Sequence, residues 1–318
     1  MTWPDAPLLL ALDAPPAPGR PEEEVLQPGS PEARVIVGVE DEAAELGRAD
    51  ILLTWRRAVD AALLERAARC RLVLHYGPGA GAGVGRVDRD AARRLGIYVA
   101  SIPDYAAEEW AEGMWELNAA LEARRPPAPP FRRRPRVGLI GLGQVGRRLA
   151  ERWKRAAGEI WAHDPYVDDD VFERAGARRA ELTDVFGICD QVLIQLSPAP
   201  GATGLIGRDM LELMRPWGRV VCGSRPEVFV ETELRWMLER GRPGGLGVLE
   251  PMLAGAAAWD WLRARERVVV HAFGEELNRR MWRSGRRRAA EVVLTMLRGG
   301  RPGHLLIDPP CPRHEMWG

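Results

Sequence analysis

Apolar and polar positions follow each other along the first hundred residues in a strand-then-helix rhythm. Short apolar runs at 7–13 (PLLLALD), 34–39 (RVIVGV), 49–55, 71–76 and 97–100 read as buried strands. A Pro/Glu-rich stretch between the first two reads as a loop. Residues 59–68 and 88–95 carry amphipathic helical spacing, so this part of the chain is predicted to be a small parallel α/β domain. A glycine-rich run at 77–85 (GPGAGAGVG) interrupts it. Residues 104–124 then place Trp110, Met114, Leu117 and Leu121 at helical spacing, with Asp104 as the expected N-cap. The prolines of 125–135 (RPPAPPFRRRP) forbid a continuing helix and predict a linker or domain crossing.

The same rhythm resumes beyond the linker with a more specific signature. Val137–Ile140 is a short apolar run, Gly141-Leu-Gly143-Gln-Val-Gly146 follows it, and a helical pattern with Leu149 and Trp153 comes next. A second strand at 159–162 leads to Asp164, which lies 23 residues after Gly141. Strand, glycine turn, helix and a distant acid are the parts a dinucleotide site needs. Gly141 permits the tight turn, Gly143 lets backbone approach a pyrophosphate, and Gly146 lets helix and strand pack closely. The helix start offers free N–H groups and a positive dipole end to the phosphates. Asp164 can accept hydrogen bonds from a ribose diol and would repel a 2′-phosphate, so NAD is expected as the cofactor. Further α/β units follow, with strands at 191–196, 219–222, 245–249 and 267–271 and helices at 208–214, 231–240 and 275–297. The remainder, 298–318, is rich in Pro and Gly.

Composition narrows the function classes. A chain of 318 residues that is 46% hydrophobic can bury the cores of two domains. Its zero net charge gives no support to nucleic-acid or anionic-membrane partners. Lys154 is the only lysine, which argues against Schiff-base chemistry and a P-loop. Cys70, Cys189, Cys222 and Cys311 form no CxxC pair, and no apolar run is long enough to span a membrane; a cytoplasmic, reduced protein is expected. His304, Cys311 and His314 are irregularly spaced among Pro309, Pro310 and Pro312, so a docking tail is expected there and no metal site.

An ordered set of segments resembles the D-2-hydroxyacid dehydrogenase family. It comprises RLVLHYGPG, AARRLGIYVASIPDYAAEEWAEGMWEL, VGLIGLGQVGRRLA, HDPY at 163–166, LSPAPGATGLIGRDMLELMRPWGRVVCGSR and GVLEP. The resemblance implies an α/β protein of two domains. Residues 1–103 and 298–318 would form a flavodoxin-like substrate domain, and 104–297 an inserted Rossmann dinucleotide-binding domain, with the active site in the cleft and a homodimer as the assembly. It implies cofactor contacts at Gly141, Gly143, Gln144, Val145, Gly146, Asp164, Ser197, Cys222 and Ser224. For a small anionic substrate it implies Tyr76, Gly77, Gly79 and Arg225, the last holding the carboxylate with a planar fork that a lysine lacks.

The acid/base positions depart from the family pattern. The family's glutamate lies five residues after an aspartate in a DVFxxEP stretch; here Gly247 and Met252 stand at those positions. Its histidine follows a strand in a TPH-like turn; here Phe273 stands there. Losing a general acid costs about 10²- to 10⁴-fold in rate. Two readings follow. In one, the dyad has moved to Glu250 and His271, each two residues earlier and on the same side of an extended chain, although two residues shift a group by roughly 6–7 Å. In the other, ordinary 2-hydroxyacid chemistry has been replaced by another NAD-dependent reaction, or lost, leaving an NAD-bound scaffold or sensor akin to the C-terminal binding proteins. The glycine run holds about four small residues more than the family's YGVG-like turn, which implies an altered substrate. Ser101 stands where relatives often carry asparagine, so formate-dehydrogenase-like chemistry is not expected.

Overall fold

Most of the apolar runs become strands buried on both faces, as in β1, β3, β4, β5, β9 and β11, which is what parallel sheets covered by helices require. The computed structural model describes residues 3–14, 19–37, 42–77, 87–102, 104–124, 134–197, 200–301, 304–309 and 312. In chain order the elements are β1 (Leu8–Ala11), α1 (Pro21–Leu26), β2 (Arg34–Val37), α2 (Glu42–Leu46), β3 (Ile51–Thr54), α3 (Ala61–Arg66), β4 (Leu72–His75), α4 (Arg89–Arg94) and β5 (Tyr98–Ser101). Then come α5 (Ala107–Ala123), β6 (Arg136–Ile140), α6 (Gln144–Trp153), β7 (Glu159–His163), α7 (Asp169–Ala175), β8 (Arg178–Arg179), α8 (Leu182–Ile188) and β9 (Gln191–Ile194). The last are α9 (Arg208–Leu213), β10 (Arg219–Cys222), α10 (Glu231–Glu239), β11 (Gly245–Leu249), β12 (Val268–His271), α11 (Glu275–Leu297) and β13 (Leu305–Ile307).

These elements fall into two units, one of residues Met1–Ala106 with Asn278–Gly318 and the other of Ala107–Leu277. In the first, the sheet order is β13-β5-β4-β3-β1-β2. Five strands are parallel, and β13 joins β5 antiparallel. The parallel order 2-1-3-4-5 is flavodoxin-like. One face packs on Leu26 of α1 and on Ala289, Ala290, Val293 and Met296 of α11. The other packs on Leu46, Leu63, Leu64, Ala91 and Ala92 of α2, α3 and α4. Asp60 and Asp88 accept hydrogen bonds from Leu63 N and Ala91 N, capping α3 and α4. From sequence, all of α11 was assigned to the dinucleotide domain; its apolar stripe instead completes this core from Asn278 onward.

The second unit holds a seven-stranded sheet, ordered β12-β11-β10-β9-β6-β7-β8, with every pair parallel. Chain direction across the sheet reverses between β6 and β9, so the switch point of a doubly wound sheet lies at their C-terminal ends. Helix α5 lies against β10, β11 and β12. There Leu117 packs where Gly247 lacks a side chain, since a Cβ on Gly247 would approach Leu117 Cδ1 to 2.9 Å.

Local periodicity missed α1, α2, α7, α8, β8 and β13, and misplaced one cap. The Pro/Glu-rich stretch contains α1, whose Glu22 is fully buried. The Pro/Gly-rich tail contributes β13. Asp104, the expected N-cap of α5, lies outside that helix and pairs with Arg288.

Glu22 is held by Arg286 through two parallel bonds, Nε to Oε1 and Nη2 to Oε2, each 2.7 Å, while Tyr76 Oη donates to Oε1 at 2.7 Å. A charged pair this deep is tolerable only because both partners are satisfied. Arg286→Met should therefore cost about 3–5 kcal/mol, read from denaturant unfolding, by stranding the carboxylate. The triple change Glu22→Leu/Arg286→Met/Tyr76→Phe should cost far less than the single change; equal losses would show that packing, and not charge, dominates. Burial, reinforced by Glu22, holds the Tyr76 hydroxyl well above its ordinary value of 10.0. Its contribution is thus complete below pH 10.0 and lost as pH rises toward the folded value. Relative to Tyr76→Phe, the parent should lose stability above pH 10.0 at up to about 1.4 kcal/mol per pH unit.

Candidate nucleotide-binding and catalytic site

The glycine turn sits at the switch point of the second unit's sheet. Gly141 adopts φ +93°, and a Cβ there would lie 2.2 Å from Gln195 O. A Cβ on Gly146 would lie 2.2 Å from Gly141 O. Both positions therefore admit only glycine, the first for its backbone angle and both for close contact. Gly143 is different: it is exposed, and a Cβ there would meet nothing within 4 Å. Its hydrogen is needed only if something approaches from outside.

Gly143 is the N-cap of α6 and makes no side-chain capping bond, so the first N–H groups of the helix, at Gln144, Val145 and Gly146, have no intrahelical acceptor. No acidic residue lies in that first turn. Asp164, half-buried after β7, accepts from Leu142 N at 2.8 Å and from Tyr166 N at 3.0 Å. A carboxylate has lone pairs left for a diol after two such bonds. It therefore both fixes the glycine turn and stands ready beside it. Open backbone, an uncapped helix start and a placed acid together fit the dinucleotide that the sequence predicts.

Along the same strand ends, Ser224 is buried and its Oγ accepts from Leu196 N at 2.6 Å. Ser197 is exposed. Cys222 is buried, its Sγ lies 3.4 Å from Ser224 O, and burial pushes its thiol up to about 12, so it is neither nucleophile nor thiolate ligand. Gln195 was not anticipated. Its buried Oε1 has no hydrogen-bond partner among the described residues and lies against Gly223, beside Trp110 Nε1, which donates to Gly223 O at 3.2 Å.

Arg225 follows β10. Its Nη1 donates to Ala254 O at 3.1 Å and its Nη2 lies 3.5 Å from Glu227 Oε1, with the side chain 38% exposed. A guanidinium carries five donors, so most remain for an anion. Glu250 and His271 are not brought together. Glu250 pairs with Arg263 Nη1 at 2.9 Å, and His271 Nε2 lies 3.4 Å from Glu116 Oε2 on α5. Glu116 lies 155 residues away in sequence, on a helix with several other acids, and nothing local distinguishes it.

Phe273 is buried, edge-on to Trp110 with ring centroids 5.1 Å apart, and fills the space left by Gly113, where a Cβ would lie 2.1 Å from Phe273 Cε1. Phe273, which the resemblance sets at the histidine position, is thus an apolar packing contact.

In the other unit, the predicted substrate groups are engaged internally. Tyr76 is buried with its hydroxyl on Glu22. Gly77 N donates to His75 Nδ1 at 3.0 Å, and Gly77 O accepts from Ile102 N at 3.1 Å. Gly79 lies outside the described residues, as do Cys311 and His314 of the tail.

No helix among the described residues is long and apolar enough to cross a membrane. Residues 104–269 match the family model described as D-isomer specific 2-hydroxyacid dehydrogenase, NAD binding domain, and NAD is the cofactor. The D-3-phosphoglycerate dehydrogenase of Mycobacterium bovis is 28% identical over 223 residues, covering 64% of this chain and 42% of that protein. The enzyme of the same name from Methanocaldococcus jannaschii is 28% identical over 191 residues, covering 54% of this chain and 36% of that one. The chain thus spans less than half the length of these curated relatives. Two solved structures share the fold: NAD+-bound 3-phosphoglycerate dehydrogenase of Entamoeba histolytica (TM-score 0.70, 15% identity, 96% and 99% of the two chains) and the NAD complex of a D-isomer specific 2-hydroxyacid dehydrogenase of Lactobacillus delbrueckii ssp. bulgaricus (TM-score 0.74, 14% identity, 94% and 99%). With the matched model spanning the glycine turn, Asp164 and Arg225, the chain belongs to the D-isomer specific 2-hydroxyacid dehydrogenase family.

Proposed function

We propose that this protein is an NAD-dependent oxidoreductase acting on a small 2-oxo or 2-hydroxy carboxylate with an altered proton-transfer site. The observation that carries this reading is Arg225: a partly exposed guanidinium with free donors, placed after β10, one strand beyond the switch point between β6 and β9. When bound, NAD supplies the hydride chemistry. Gly143 and the α6 N-terminus hold the phosphates, and Asp164 orients the ribose. Arg225 grips the substrate carboxylate and polarises the neighbouring carbonyl. With Phe273 in the histidine position, the proton comes from solvent. A homodimer in the cytoplasm belongs to the same reading and rests on the family resemblance.

A second reading, an NAD-bound scaffold without turnover, is favoured by one feature: Glu250 is committed to Arg263, and Phe273 is committed to Trp110 and Gly113. Mixing the protein with NADH and a panel of 2-oxo acids separates the two. On the enzyme reading, NADH is consumed, and Arg225→Ala lowers kcat/KM by roughly 10²- to 10³-fold. Phe273→Ala should cost about 3–5 kcal/mol of stability yet leave the rate per folded molecule unchanged. NADH binding without reduction of any acid would favour the scaffold. Asp164→Ala should weaken NADH about tenfold or more and relax discrimination against NADPH, both read by fluorescence titration. Unchanged discrimination would remove Asp164 from the ribose.

A further inference from the structure

At the other edge of the second unit's sheet, where β11 and β12 begin, lies a pocket of about 490 Å³. It is lined by Arg240, Gly241, Arg265 and Arg267, with Glu239 and Glu266 beside them. That volume lies within the range of small-molecule sites.

The arginines around it are arranged unequally. Trp236 carries two guanidiniums, Arg208 with its Cζ 4.2 Å from the ring centroid and Arg240 at 3.7 Å. Trp261 carries Arg235 at 4.0 Å and Arg265 at 5.4 Å. On each indole one arginine is neutralised: Arg208 by Glu212 at 2.7 Å and Arg235 by Glu231 at 2.8 Å. The other borders the pocket and is poorly compensated. Among the described residues, the Arg240 side chain bonds only the carbonyl of Trp236, at 3.3 Å, and Arg265 reaches Glu239 at 3.9 Å. Arg267 has no ion-pair partner among the described residues, and a Cβ on Gly241 would lie 3.3 Å from its Cζ. Stacking on tryptophan fixes a guanidinium plane without consuming its donors. Three guanidiniums, two of them over tryptophan rings, thus line one hollow together with two carboxylates.

We propose that this pocket binds the phosphoryl group of a small phosphorylated molecule, at a site separate from the glycine turn. Guanidinium forks match phosphate oxygens bidentately, and a dianion gains enough to outweigh Glu239 and Glu266, whereas a monocarboxylate gains less.

The test uses inorganic phosphate and pyrophosphate as probes, titrated calorimetrically at constant ionic strength against the full chain, with and without NADH. Arg240→Ala/Arg267→Ala should weaken the probe at least about tenfold while NADH affinity and the circular dichroism spectrum stay unchanged. Glu266→Gln should tighten it severalfold. Equal affinity in the parent and the double variant, or heat that vanishes when NADH is added, would place phosphate at the glycine turn and overturn the proposal. So would the absence of any binding in the parent protein.

Discussion

The first unit depends on the bond between Glu22 and Arg286. Its chain is split by the whole of the second unit, so α1 and α11 must meet across a separation of 264 residues. Closing a loop of that length costs on the order of 5 kcal/mol in chain entropy. Burial of Ala289, Ala290, Val293 and Met296 against the sheet is non-directional and would tolerate a helix that slid or rotated. The bidentate pair removes that freedom, because a shift of one residue along α11 would strand two buried charges. Tyr76 extends the constraint to the end of β4, and the next residue, Gly77, is then clamped by His75 and Ile102. The segment that opens the glycine run is thus set by an ion pair well outside it.

Legibility from sequence followed the range of the interaction. Most strands of both sheets were legible, since the burial of a strand is written in its own four or five residues; the exposed β8 and the short β13 of the tail were not. The nucleotide turn was legible because its requirements are local: Gly141, Gly143 and Gly146 each answer to a neighbour or to open space, and Asp164 follows from the next strand. Partner choice among charges was not legible. Glu22 lies in PEEEV, which reads as solvated loop, and only a distant arginine makes its burial possible. Glu250 and His271 are adjacent to paired positions on β11 and β12, since Leu249 faces His271, yet Arg263 and Glu116 take them separately. In an arginine-rich chain every acid has several candidate partners, and sequence spacing does not choose between them.

At Gly247 and Phe273, which the resemblance sets at the family's aspartate and histidine, the surroundings match the residues present. Gly247 makes room for Leu117, and Gly113 makes room for Phe273. An aspartate at 247 would meet an apolar side chain from α5 and carry a buried, unpaired charge costing several kcal/mol. A histidine at 273 would face the edge of Trp110, with the nearby Glu116 already engaged by His271. A histidine at 273 alone therefore does not make a dyad. The changes behave as one packing solution, in which α5 lies against β11 and β12 through small-for-large exchanges.

That solution leaves the polar chemistry of the second unit at the two ends of its sheet. All seven strands run the same way, so every strand-to-helix turn, including those bearing Gly143, Ser224 and Arg225, opens at one edge, and every helix-to-strand turn opens at the other. At the first edge, backbone N–H groups and one guanidinium face outward with few internal partners. At the second, Arg240, Arg265 and Arg267 line a pocket with Glu239 and Glu266; Arg240 and Arg265 lie over tryptophan rings, and Arg265 also reaches Glu239 at 3.9 Å. An ion-paired arginine contributes little field beyond its partner; one stacked on an indole keeps its charge. Tryptophan in place of acid beside Arg240 leaves that charge without an ion-pair partner among the described residues, in a chain whose net charge is zero.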